Sequence, residues 1–563
     1  MSKNNNSSDV SRRDFLSSTG KVAAASLITG SSSLEDFSAG SKRAASFPFN
    51  CMPPEDEPQY KRLCKRQIAR IEDGDIEGAI HCLSSYLEAS PIDTEYMYGL
   101  AVAHTVNGDI ALATSYAQQA IDGGMQMSRF LAGPRKFLSP LHQYEPFQVL
   151  VQKYGSELVH GPLLGSLTDQ RAKFWIRTLH ESQFRVLISE HANMASPVYS
   201  NLASISADRD FTGIADLQNL SPNTRYYYQL ELNGRAESAI YAFTTFPQRN
   251  QPAQFSIGFG GCAGYTPWHE RMWRLIAQYD LPLFLLTGDN VYIDDPTRPG
   301  VQDYVYYRRQ SRPEFRELVA GTSIAAIWDD HEFGDDDSWG GPDIESPAWK
   351  IPVWKTFKNN WNNPAYAGDI DQPGCWFSFS VADVDIFMLD DRYYRDNHRE
   401  PPEDRPPTML GPVQKRWLFN ELKQSKATFK VIVTSVPWAY GVKPGSNDPW
   451  QGFKEEREEI FSFLSDNKID GVFLLSGDRH RADIWQIDRQ NGYPMFDFEN
   501  ARLTNIHTHQ LIPGAIFGYN EKCTFGRLRF DTTKDDPEVI YDIISIDNEL
   551  IHSFPLRLSQ ISH

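Results

Sequence analysis

Four short apolar runs each break into residues able to hold cations. Gly260-Gly261-Cys262 ends the first, and Gly288-Asp289-Asn290-Val291-Tyr292 follows the second. Trp328-Asp329-Asp330-His331-Glu332 and then Gly334-Asp335-Asp336-Asp337 follow the third; Gly477-Asp478-Arg479-His480 follows the fourth. Carboxylate oxygens suit Ca²⁺, whereas thiolate, phenolate and imidazole favour a transition metal. Both ligand types together imply a mixed multinuclear centre. Each group alone has a plainer reading: Cys262 as a core residue, Tyr292 as a packing aromatic, the acid run as a solvated loop. Cys262 is not the nucleophile of a cysteine phosphatase, because the arginine such enzymes need six positions on is replaced by Trp268. His507 and His509 match no ligand pattern and read as packing or hydrogen-bonding residues.

The elements that must position these groups follow from hydrophobic pattern. Segments 254–261, 282–287, 323–328, 430–435 and 471–476 read as buried strands. Segments 268–279, 313–319, 411–425 and 453–466 read as helices. This alternation describes a layered α/β domain over 252–563, with the site at the carboxyl ends of its strands. Only the 430–435 strand does not run into polar or metal-ligating residues. Residues 158–247 alternate as strands do, and Leu220-Ser221-Pro222-Asn223-Thr224-Arg225-Tyr226 has the pattern of a tyrosine corner in a fibronectin-like sandwich. Residues 58–130 read as helices: Gly74-Asp75-Ile76 recurs as Gly108-Asp109-Ile110, and Ala79 as Ala113, at the 34-residue spacing of tetratricopeptide-like repeats. That segment is a helical collar or a surface for a peptide partner. Ser11-Arg12-Arg13-Asp14-Phe15-Leu16 precedes a small-residue apolar stretch within 1–45, the order of a twin-arginine export signal. Export to the periplasm or medium is therefore expected, and no later run reaches the length of a membrane helix.

Composition bounds the function. The 563 residues carry 55 Lys and Arg against 73 Asp and Glu, a formal net charge of −18. This argues against a nucleic-acid-binding surface, since phosphate neutralisation needs basic excess, although nucleotides stay open as substrates. A hydrophobic fraction of 40% supplies real cores. Six scattered cysteines with no CxxC pair exclude a zinc ribbon; their pairing is not readable.

At the four strand ends the sequence resembles the PhoD-like alkaline phosphatase and phosphodiesterase family of metallophosphoesterases, over about 158–545. Asp289 with Tyr292, Cys262, Asp330 before His331-Glu332, Asp478 with His480, and Arg392 in Leu389-Asp390-Asp391-Arg392 match its motifs. The loop after Asp-His-Glu departs, with Asp336 as the best match and Asp337 second where the family has Asn. The resemblance implies Fe³⁺ on Cys262, Asp289, Tyr292 and His480. It implies one or two Ca²⁺, or other divalent cations, on Asp289, Asp330, Asp336 and Asp478, with Asp289 shared. It implies Arg392 as a clamp on phosphate, unless that side chain merely pairs with Asp390 or Asp391, and His331 as an aid to the leaving oxygen or an orienter of ligands. The expected protein is multidomain: an α/β layered metallophosphoesterase-like catalytic domain after a fibronectin-like β-sandwich and a short all-α repeat segment. Its expected activity is hydrolysis of phosphomonoesters or phosphodiesters by metal-activated water. The alternatives are a phospholipase D-like phosphodiesterase on lipid or wall polymer, and a non-catalytic interaction protein.

Overall fold

A computed structural model describes Cys51 and residues 60–563; the signal-like segment lies outside the described residues. Four helices open the described chain: α1 (Tyr60–Glu72), α2 (Ile76–Ala89), α3 (Thr94–Asn107) and α4 (Ile110–Asp122). The 34-residue spacing has a local cause. Gly74 and Gly108 take left-handed backbone, φ 88° and 90°, where glycine meets no Cβ penalty, and each leads into an Asp-Ile helix start. Asp75 caps α2 by accepting from the Gly78 N–H at 3.1 Å, and Asp93 caps α3 through Glu95 and Tyr96. A disulfide joins Cys51 to Cys82 of α2, while Cys64, Cys262, Cys375 and Cys523 are free and buried.

These helices dock on the helix Pro299–Gln310. Glu95 accepts from Arg129 at 3.1 Å and from the Tyr304 hydroxyl at 2.8 Å, all three buried. Arg298 reaches back to Asp73 at 2.9 Å. A buried charge pair needs hydrogen-bond partners of this kind to offset its desolvation, so this seam is built rather than incidental.

Two mixed sheets form the core. The first has nine strands, in the order Leu550–Arg557, Glu538–Ser545, Thr524–Asp531, Gln254–Gly260, Leu283–Thr287, Ser323–Ile327, Leu158–Gly165, Arg171–Thr178 and Thr212–Gln218. The second has seven, led by Phe377–Val381, Val384–Met388, Phe429–Val433, Val472–Ser476 and Met495–Asn500. Tyr541 bridges them, its ring 5.3 Å from Phe259 and 4.9 Å from Phe498. The inner strands of both sheets run parallel, so their carboxyl ends share one rim.

The five strands and four helices expected for 252–563 are present with slightly shifted ends. What sequence pattern does not show is their division between two sheets. The 158–247 region also differs from a free-standing sandwich. Its strands Leu158–Gly165, Arg171–Thr178 and Thr212–Gln218 continue the nine-stranded sheet: the first pairs parallel with Ser323–Ile327, and the other two follow it antiparallel. Its other strands form a separate six-stranded sheet. The continuation covers the otherwise open edge of Ser323–Ile327, which would present unpaired backbone groups. The tyrosine corner is present: the Tyr226 hydroxyl accepts from the Ser221 N–H at 2.9 Å.

Candidate metal centre

Strand-end geometry builds the site. Gly288 has φ 100°, and a Cβ there would lie 2.8 Å from the Asp329 Cβ and 3.0 Å from the Ser435 Cβ. Glycine thus lets three strand ends close on one another. Cys262, Asp289, Asp478 and His480 all have positive φ, at 54°, 54°, 72° and 46°. Such backbone costs energy in non-glycine residues and clusters at functional sites.

The first half of the site is fully enclosed. The Cys262 thiol lies 3.4 Å from Asp289 Oδ2, and the Tyr292 hydroxyl lies 2.9 Å from that oxygen and 2.9 Å from His480 Nε2. Asn505 Nδ2 donates to the Tyr292 hydroxyl at 2.7 Å. Asp289 Oδ1 is buried with no hydrogen-bond partner. A buried carboxylate oxygen in that state carries a desolvation cost, which a cation would remove. Burial, with Asp289 next, pushes the Cys262 thiol well above its ordinary value. Burial raises Asp289, with Asp330, Asp329 and Asp478 adding to it and His331 opposing it, and burial with Asp289 raises Tyr292. In the absence of cations, burial therefore favours the protonated form of all three groups. One carboxylate, one thiol, one phenol and one imidazole in contact are a donor set for a transition metal.

The second half is acidic and more open. Asp330, Asp336 and Asp337 offer oxygens within 4.8 Å of one another, as do atoms of Asp289, Asp330 and His331. The Asp336 side chain is 86% exposed, whereas that of Asp337 is 18% exposed and faces inward. Asp337 also donates its N–H to Asp330 Oδ2 at 2.7 Å. The Lys443 ammonium lies 2.6 Å from Asp337, 3.2 Å from Asp448 and 3.5 Å from Asp478. Burial raises Asp478 less than Lys443 and Arg479 lower it.

Arg392 stands between this half and the strands, fully buried. Its Nε donates to Asp329 at 2.5 Å and its Nη1 to Asp448 at 2.8 Å and to the Ser338 carbonyl at 3.1 Å. It does not form ion pairs with Asp390 or Asp391. Asp390 instead accepts from the Trp328 indole and from the backbone of Cys375, Arg392 and Tyr393. Arg392 therefore holds Asp329 and Asp448 rather than presenting its guanidinium to solvent. Glu332, pushed up to about 8 by burial, is tied to Asn290 at 3.0 Å. The 430–435 strand also ends in the site: Ser435 Oγ donates to Asp329 Oδ1 at 2.7 Å.

His331 sits beside Tyr292, ring centres 4.3 Å apart. Burial disfavours its imidazolium, but Asp330, Asp289 and Asp294 outweigh that and hold it up at about 10. His507 and His509 lie against His480, ring centres 5.2 and 4.8 Å away. The two histidines pack and hydrogen-bond as their His-x-His pattern suggests, His509 Nδ1 lying 3.0 Å from the Arg479 carbonyl. The sequence pattern alone does not find Asn505, Lys443 or Asp448, because a lone lysine, asparagine or aspartate in a loop carries no signal.

Residues 257–505 match the family model of PhoD-like phosphatase, and residues 155–249 that of a domain of unknown function (DUF7800). The chain carries a PhoD-like phosphatase domain. Alkaline phosphatase D of Bacillus subtilis (strain 168) is 24% identical over 362 residues, 56% of this chain and 60% of that protein. The chain thus spans about 60% of the length of the curated relative it matches. Among solved structures, PhoD is similar at a TM-score of 0.60 and 16% identity, over 70% of this chain and 88% of that one. Purple acid phosphatase PPD1 from yellow lupin seeds follows at 0.52 and 14%, over 71% and 75%. At these identities the structural likeness concerns the fold of the PhoD-like domain and its surroundings.

Proposed function

We propose that the chain is an exported, metal-dependent phosphoester hydrolase acting on phosphomonoesters, phosphodiesters or both. The observation that carries this reading is the contact of Cys262, Asp289, Tyr292 and His480, with Asp289 Oδ1 buried and without a hydrogen-bond partner and Asp289 also grouped with Asp330 and His331. That donor set fits Fe³⁺ on Cys262, Asp289, Tyr292 and His480. Asp330, Asp337 and Asp478, with Asp336 at the rim, fit Ca²⁺. Bound there, such cations supply positive charge for a phosphate and a lowered pKa for water.

The chain's own residues supply the rest. Lys443 and Arg479 flank Asp478 and present positive charge where an anionic ester would enter. Arg392 keeps Asp329 and Asp448 in place and acts on substrate through them. His331 has Nδ1 engaged by Asp294, and its Nε2 lies 3.9 Å from Asp336 Oδ1 at the rim; it gives a proton to the departing oxygen. The Cys51–Cys82 disulfide supports passage to an oxidising compartment, and no helix among the described residues is long and apolar enough to cross a membrane. The seam between the helices and Pro299–Gln310 favours a collar over a peptide receptor. Elemental analysis of protein folded in its native host, beside a panel of mono- and diesters, tests the proposal. Protein that holds neither iron nor calcium and releases no phosphate sinks it.

A further inference from the structure

The helical segment reaches the site itself. Lys65 of α1 is buried, and its ammonium donates to the carbonyl of Tyr292 at 3.3 Å and to Asp294 Oδ2. The other oxygen of Asp294 contacts His331 Nδ1. The same turn is fastened to His331 by backbone, since the Ile293 and Asp294 N–H groups donate to its carbonyl at 2.9 and 3.1 Å. Asp294 has φ 54°, a strained conformation kept by these bonds. Beside this row lies a cavity of about 320 Å³, walled by Lys65 and Arg66 on one side and by Asp294, His331 and Asp336 on the other.

We propose that Lys65 is a positioning residue that the helical segment contributes to the active site, fixing Asp294 and through it the His331 imidazole. A buried lysine costs desolvation that an apolar side chain in a collar would avoid. Its placement on both the Tyr292 carbonyl and Asp294 gives that cost a return. Burial works against the Asp294 carboxylate, but His331 and Lys65 hold it well below the usual range. Ligand-orienting partners of this kind are worth ~10–100-fold in activity. This inference rests on the hydrolase reading above.

The test uses the full, metal-loaded chain. Lys65→Met should lower kcat about tenfold with KM within about twofold and iron and calcium content unchanged. Lys65→Arg should recover most of that loss, because a guanidinium still reaches both oxygens. Asp294→Asn should match Lys65→Met, and Lys65→Met should cost nothing further in a His331→Gln background. Lys136→Met, at an exposed lysine paired with Glu72 at the end of α1, should keep full turnover. Full turnover by Lys65→Met or Asp294→Asn overturns the inference, as does a loss tracking metal content or a charge-preserving arginine no better than methionine. If Lys65→Met fails to accumulate, Asp294→Asn decides in the same way. A wild-type chain that releases no phosphate sinks the hydrolase reading and this inference together; an active wild type with indifferent variants sinks this inference alone.

Discussion

The two halves of the centre are built on opposite principles. The Cys262, Asp289, Tyr292 and His480 half is sealed and strained at the backbone, and burial raises the pKa values of its thiol, carboxyl and phenol. The half formed by Asp330, Asp336, Asp337, Asp448 and Asp478 is partly open and already holds a lysine ammonium. A sealed set of mixed donors selects its cation by ligand type and geometry. An open carboxylate set selects by charge and size and exchanges more readily. Asp289 belongs to the sealed contacts and also lies with Asp330 and His331, so the comparison is sharpest there.

Asp289→Asn should have the largest effect, about 10³-fold in phosphoester turnover with loss of metal from both halves by elemental analysis. Loss confined to one half would break the idea of a shared carboxylate. Next, Lys443→Met leaves three carboxylates facing one another; cation-free protein should lose about 2–3 kcal/mol, read as a lower melting temperature that added Ca²⁺ restores. If Ca²⁺ does not restore it, the open half is a structural ion-pair cluster. The pH response should separate the halves further. In the sealed half the thiol, Asp289 and Tyr292 all have raised pKa values, so entering metal must displace protons. Metal retention there should fall toward acid and rise toward alkali, by about tenfold per pH unit for each proton displaced, as measured by iron content after dialysis across a pH series. Asn505→Ala, which removes the donor to the Tyr292 hydroxyl, should cost about tenfold in activity and leave calcium content unchanged. The smallest effect belongs outside both halves: Tyr226→Phe removes the corner bond to Ser221 and should cost about 1 kcal/mol of stability, with turnover untouched.

The halves also differed in how far they could be read beforehand. Sealed-half residues lie within five positions of a strand end, and short apolar strands followed by candidate ligands are visible in one dimension. Asp448 and Lys443 sit in the loop after Phe429–Val433, with no local pattern to mark them. The acid run illustrates the limit well. Acids cluster at 289–295 and 329–337, yet Asp294 serves Lys65 and His331, Asp295 serves Arg298, Glu332 serves Asn290 and Asp329 serves Arg392. Composition counts charges but not their partners.

From sequence alone came the strand-and-helix alternation, the tyrosine corner, the 34-residue helical spacing and most of the ligand types, because each depends on contacts or periodicities a few residues apart. Tertiary structure decided the pairing of two sheets, the merging of the 158–247 strands into one of them, the inward turn of Asp337, the burial of Arg392 and the arrival of Lys65 beside His331. These depend on groups separated by up to hundreds of positions, whose meeting is set by packing and desolvation across the whole chain rather than by any local pattern.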